Sequence, residues 1–326
     1  MKILLDGYID GNFGDDLMLS LAADGLRGHE LFISSPKIKL NNVKYTDKRA
    51  GFDCYLKVTG SGFLIHNNLG ILYRLRDMRR ERNTAPVRAV INCNISPFIN
   101  GAAERVIRHQ LSGYDFITVR DTFSYDYIRK NIPNAKCEEY PDMVFSLPDE
   151  MIPNVKSGGE LGIAVHNSAS ARETARAADR YIEETGKKVI LLCFDSGSEH
   201  DSLAAEKIMS VSAHGDMIER VDYTDTRSML AAMKKCGVIL AVRLHSIILS
   251  ARMGIPFVPM AYSDKTEEVL SDMGFKGKVY NPRGFDAESV ARDILNAKPY
   301  RLDGKITELS RRHIIRLNEC LKNNSF

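Results

Sequence analysis

Arg243, His245 and Ser246 stand directly behind a β-branched, apolar run at 238–242. A strand that delivers Arg243 to its carboxyl end, followed by a helix opening at His245 and Ser246, makes an anion site. The first N–H groups of a helix lack intrahelical partners, and the helix dipole favours negative charge there. Arginine adds a planar fork suited to carboxylate or phosphate, and histidine can hold or give a proton near neutral pH. The plainer alternatives are an Arg243 that only pairs with an acid and a His245 that only caps a helix. Arg-x-His at a strand-to-helix turn favours the chemical reading. Lys265 follows the run at 255–262 and reads either as an ammonium beside the same anion or as a solvated lysine.

The first half holds a second group. The stretch 7–16 carries Gly7, Gly11 and Gly14 with Asn12, Asp15 and Asp16, which suits a tight strand-to-helix turn. Ile9 stands where a dinucleotide fingerprint needs its second glycine, and no Lys-Ser/Thr follows as in a P-loop. Asn12, Asp15 and Asp16 therefore read as helix caps or as polar groups facing a ligand. Gly60, Ser61 and Gly62 close another apolar run and allow backbone to approach a ligand. Arg120 closes a third, where it either meets substrate or pairs with Asp121 or Asp142. His166 follows the run at 161–165 and reads as a group facing the ligand or as a structural histidine.

All these residues follow short apolar runs that alternate with helical periodicity. Strands are expected at 2–6, 30–34, 54–59, 87–93 and 116–119, and again at 161–166, 188–194, 220–223, 237–242 and 257–261. Helices are expected at 15–26, 69–82, 102–112 and 122–130, then at 171–184, 201–212, 228–235, 246–253 and 265–272, with a last one at 306–322. Continuous apolar runs rather than alternating ones indicate parallel strands covered on both faces. The repeated βα rhythm indicates doubly wound α/β sheets, whose ligands sit beyond the carboxyl ends of the strands. Pro141, Pro148, Pro153 and the polar stretch 154–160 interrupt the rhythm and read as a linker. The expected architecture is α/β, with two Rossmann-like domains at 1–150 and 160–300, an interdomain cleft, and a C-terminal helix in 301–326 that returns to the first domain.

Composition excludes several classes. Forty-five Lys plus Arg against 42 Asp plus Glu leave a formal charge of +3, too little for a nucleic-acid field. An anionic partner must then be held by local groups. The six cysteines form no CxxC pair and no metal-type spacing, so no metal and no cofactor is called for. No apolar run approaches the ~20 residues of a spanning helix, and the start is too short for a signal peptide, so a cytoplasmic location is expected. Residues 73–82 carry five arginines in one helical stretch. They read as a solvated face or as a peripheral contact with an anionic membrane.

Taken in order, Gly11-Asn12-Phe13-Gly14-Asp15-Asp16, Gly60-Ser61-Gly62, Arg120-Asp121-x-x-Ser124, the stretch 142–147, Arg243-Leu244-His245-Ser246 and Tyr262-Ser263-Asp264-Lys265 resemble the polysaccharide pyruvyl transferase family. The resemblance spans about 2–273. It implies a GT-B-like fold, phosphoenolpyruvate as donor and a hexose of a surface glycan precursor, free or lipid-linked, as acceptor. Arg243 and His245 match the family's donor-binding Arg-x-His. The chain departs from the pattern after the first strand of the second domain, where relatives often carry an arginine and this sequence has His166.

On that reading His245 protonates the methylene carbon of phosphoenolpyruvate, a bound dianion favouring its charged form. Arg243, Lys265 and the helix start at Ser246 neutralise the carboxylate and phosphate, and Asp15 or Asp16 takes the sugar hydroxyl proton. Two other readings stay open: a GT-B glycosyltransferase using a nucleotide-sugar, and a non-catalytic sugar-binding protein.

Overall fold

The computed structural model describes residues 1–323 apart from 66, 96–97 and 198. The chain forms two compact units. The first comprises Met1–Ile9, Asp15–Ser146 and the chain from Thr307 onward; the second comprises Asp10–Gly14 and Leu147–Ile306.

The first unit runs β1 (Lys2–Gly7), α1 (Phe13–Gly25), β2 (Glu30–Ile33), β3 (Val43–Tyr45), β4 (Cys54–Val58), α2 (Asn68–Arg82), β5 (Val87–Cys93), α3 (Gly101–Leu111), β6 (Phe116–Val119), α4 (Thr122–Asn131) and β7 (Cys137–Glu139). Its sheet has the order β3-β2-β1-β4-β5-β6-β7. Every pairing is parallel. All four residues of β6 are buried, as a strand covered on both faces must be. The order reverses between β1 and β4, which leaves the loops after those strands at the switch point where α/β sheets take ligands.

The second unit runs β8 (Glu160–Ala164), α5 (Ala171–Thr185), β9 (Val189–Cys193), α6 (Asp201–Val211), β10 (Ile218–Asp222), α7 (Thr226–Lys235), β11 (Cys236–Ala241), α8 (Leu244–Met253), β12 (Phe257–Pro259), α9 (Asp264–Asp272) and α10 (Ala287–Asn296). Its sheet, again parallel, has the order β10-β9-β8-β11-β12, with the switch between β8 and β11. Helix α5 shows why such sequences fold locally. Ser170 caps its start by accepting from the Glu173 N–H, and Gly186 ends it in the left-handed region at φ 64°. Ala175, Ala178, Tyr181 and Ile182 recur at helical spacing and pack into the core with Leu161, Ile163 and Leu191.

The last helix, α11 (Gly304–Asn323), belongs from Thr307 to the first unit. Its buried Ser310 donates to the Asp142 carbonyl at 2.7 Å. His313, fully buried, meets Thr118 Oγ1 at 2.6 Å and the Pro141 carbonyl at 3.0 Å. Arg316 pairs with Glu138 at 2.8 Å. Burial pushes His313 down to about 4, so it stays neutral in the fold. Three elements lie outside the expected set: the edge strands β3 and β7, and helix α10. Among the described residues no helix is long and apolar enough to cross a membrane.

Candidate active site

Four adjacent strands of the second unit, β9, β8, β11 and β12, carry their loops on one edge. Those loops hold Asp195, Glu199 and Asp201; then His166; then Arg243 and His245; then Tyr262 and Lys265. Arg243 ends β11 and is the residue before α8. It is buried, and its guanidinium is held on three sides. Nε donates to the Val165 carbonyl at 2.9 Å, Nη1 meets Glu199 Oε2 at 2.5 Å, and Nη2 donates to Asp201 Oδ1. Burial disfavours the charge, but Asp201 and Glu199 outweigh it and hold the Arg243 pKa above its ordinary value. Asp201 is raised by burial, with Arg243 opposing. Its Oδ2 also accepts from the Asp195 N–H at 2.9 Å. The arginine is thus paired with acids, Glu199 and Asp201, the second of which also holds the Asp195 N–H.

His166 completes the group. Its ring stacks on Tyr262 with centroids 4.4 Å apart and an angle of 13°. Nδ1 accepts from the Ser168 N–H at 3.1 Å, which leaves Nε2 facing Glu199 Oε2 at 3.8 Å. Burial first and the Arg243 charge second push His166 down to about 4. It is therefore neutral at neutral pH, not the resting cation that a stand-in for arginine would be. Ser246 is fully buried and turned inward: its Oγ donates to the Arg243 carbonyl at 2.5 Å, and its N–H to the same carbonyl at 2.9 Å. Lys265 lies half-buried in the first turn of α9, behind the strand beside β11.

The glycine-rich stretch meets this edge. Asp10–Gly14 packs as part of the second unit. The Phe13 N–H donates to the Phe194 carbonyl at 2.9 Å, and the Ser196 N–H to the Gly11 carbonyl at 2.9 Å. The Phe13 and Phe194 rings meet edge-on at 4.8 Å. Asn12 Nδ2 donates to Asp195 Oδ2 at 3.3 Å, while its Oδ1 accepts from the Gly14 N–H at 3.0 Å. Gly11 sits at φ 73°, where a side chain would be strained and would strike the Ser196 hydroxyl. Gly14 lies against the His245 ring: a Cβ there would overlap Nδ1, Cε1 and Cγ, the last at 2.6 Å. Asp15 and Asp16 follow in the same first turn of α1.

The first-unit residues are otherwise committed. Arg120 is buried and pairs with Asp142 Oδ2 at 2.5 Å, with Asn94 Oδ1 at 3.3 Å. Gly60 leaves room for that guanidinium, since a Cβ would meet Arg120 Nη1 at 2.9 Å. Gly62 likewise leaves room for the Thr59 side chain. Ser61 is exposed between them.

Residues 12–264 match the family described as polysaccharide pyruvyl transferase. The match begins at the docked Asn12 and ends just beyond Tyr262, so it takes in Arg243, His245, His166 and their partners and stops one residue short of Lys265. The chain belongs to the polysaccharide pyruvyl transferase family. The transferase also resembles solved structures in fold. UDP-GlcNAc 2-epimerase from Neisseria meningitidis, bound to UDP-GlcNAc, matches at TM-score 0.61 and 11% identity over 99% of this chain and 100% of that one. S. aureus MnaA with UDP matches at 0.61 and 11%, over 99% and 96%. Sucrose-phosphate synthase from Thermosynechococcus elongatus matches at 0.53 and 12%, over 98% and 94%. At such identities the likeness shows the fold alone, which is GT-B-like with two Rossmann-like units. A comparison with curated proteins gave no match.

The structure brings Arg243, His166, Asn12 and, through Gly14, His245 to one edge of the transferase's second unit. Arg120, Gly60, Ser61 and Gly62 belong to the first unit. Asp195, Glu199 and Asp201 are the residues that sequence reasoning leaves out, while Tyr262 enters it only as the start of a motif. Their signal was available: three acids in the loop after the apolar run at 188–194 stand where ligand-facing residues are expected.

Proposed function

We propose that the transferase moves the pyruvyl group of phosphoenolpyruvate onto two hydroxyls of a sugar as a cyclic ketal. The observation that carries this is the packing of His245 against Gly14, which joins two family motifs at one point beside Arg243. His245 gives its proton to the methylene carbon, which becomes the methyl group, and positive charge develops at C2. One sugar hydroxyl adds to C2 and loses its proton to Asp15 or Asp16. A second hydroxyl then closes the ring as phosphate departs with the remaining proton. Arg243 and Lys265 oppose the donor's carboxylate and phosphate. Glu199, whose side chain is 43% exposed against 0% for Asp201, is the partner a dianion displaces from Arg243. Such a dianion beside His166 favours its protonated form and supplies the second cation. Released phosphate should appear from phosphoenolpyruvate only when a hexoside acceptor is present, and phosphoenolpyruvate should raise the melting temperature. Stabilisation by a UDP-sugar with none by phosphoenolpyruvate would replace this reading with glycosyl transfer.

A further inference from the structure

Helix α2 stands apart from the other helices of the first unit. It turns Met78 and Glu81 inward, with Arg74 over the Phe63 ring at 5.9 Å. Outward it shows Leu69, Leu72, Tyr73 and Leu75, which are 63, 64, 62 and 41% exposed. A solvated helix face carries polar groups at such positions, and four large apolar ones within seven residues leave a patch uncovered. Beyond them the outward face is cationic, with Arg76, Arg79, Arg80 and Arg82 all exposed. Of the two acids in the helix, Glu81 gives its charge to the interior, to Lys57 Nζ at 2.8 Å, Gln110 Nε2 and the Tyr114 hydroxyl. Only Asp77 is left to oppose four guanidinium groups.

We infer that the outward face of α2 docks on an anionic lipid surface. Leucines and tyrosines enter the boundary between headgroups and acyl chains, and arginines lay their stems along it while their guanidinium groups reach lipid phosphates. Charge complementarity selects the partner, because four exposed arginines against one acid favour a negatively charged bilayer over a neutral one. The contact needs neither donor nor acceptor and stands or falls apart from pyruvyl transfer. Where transfer also holds, it sets the enzyme on the surface that would carry lipid-linked acceptors.

The chain has no tryptophan, so Leu72→Trp is a reporter without background. With vesicles of phosphatidylglycerol and phosphatidylcholine, the full chain should sediment and the Leu72→Trp emission should move to shorter wavelength. With phosphatidylcholine alone both effects should be much weaker. Arg76→Gln/Arg79→Gln/Arg80→Gln, at exposed positions, should lower binding to the anionic vesicles by on the order of 100-fold, about fivefold per arginine. Leu72→Glu/Tyr73→Glu should abolish sedimentation while turnover on a soluble hexoside stays at the wild-type rate. Raising salt should release the unmodified chain, a check that needs no variant to fold. Sedimentation equal on neutral and anionic vesicles, none on either, or none lost in the triple variant would overturn the inference.

Discussion

Gly14→Ala isolates the link between the two motifs. Gly14 does not have a positive φ, and alanine in a helix is favoured over glycine by about 0.5–1 kcal/mol. The backbone therefore accepts the change, and any loss must come through His245. The new Cβ would stand 2.6 Å from ring Cγ, where ordinary contact begins near 3.4 Å. The ring must retreat by about 1 Å or more, a displacement that commonly costs about 10²-fold in rate when the group does chemistry. Overpacking costs ~1–3 kcal/mol, offset in part by the helix gain, so the melting temperature should fall by only a few degrees. Phosphate release with saturating phosphoenolpyruvate and a hexoside should show kcat reduced about 100-fold. Turnover within twofold of wild type at an unchanged melting temperature would refute the reasoning, because it would mean His245 swings aside without consequence.

His245→Gln should retain phosphoenolpyruvate binding in a titration while turnover falls by roughly 10²–10⁴-fold, and weak binding with normal saturated turnover would reduce His245 to an anion ligand. Arg243→Lys should destabilise the protein by about 3 kcal/mol, since a lysine cannot span Val165, Glu199 and Asp201 and leaves the buried Asp201 poorly matched; an unchanged denaturation midpoint would sink the pairing argument. His313, held at about 4 against an ordinary 6.5, refuses a proton that the unfolded chain accepts. The His313 contribution should thus be level above pH 6.5 and fall by roughly 3 kcal/mol on passing down to pH 4, beside a fall of the same sign from His166. His313→Gln should make that slope shallower in urea titrations at pH 7 and 4.5, and a slope as steep as wild type would assign it to other groups.

The α/β pattern was legible because parallel strands buried on both faces read as unbroken apolar runs; β6 occupies the same 116–119 that its Phe-Ile-Thr-Val predicts. Strands β3 and β7 were not. Each has three residues, Val-Lys-Tyr and Cys-Glu-Glu, and lies at a sheet edge where no buried face demands an apolar pattern. Helix α10 did leave a trace, with Asp286 as cap and Ala287, Val290, Ala291 and Ile294 buried on one stripe. Its small residues, broken by Glu288, Arg292 and Asp293, blunt the contrast between faces. At the site, the strand-to-helix turn exposes Arg243 and His245 in the sequence, but its partners lie 44 and 42 positions away and meet it only through the strand order. The part played by Gly14 is an absence of atoms, and it becomes visible only once the His245 ring is in place.

The return of α11 to the first unit has a consequence for synthesis. Ordinary domains close in chain order as they leave the ribosome. Here the buried bonds from Ser310 to Asp142 and from His313 to Thr118 need residues made after the whole of 147–306. At common translation rates the first unit waits on the order of 10–30 s for its closing helix. Through that interval the interior around Thr118 and Asp142 lies open, and by its end the second unit already has all of its own chain. The half of the molecule that emerges first is the half that finishes last, and that unclosed interior is the surface on which a nascent-chain chaperone would act.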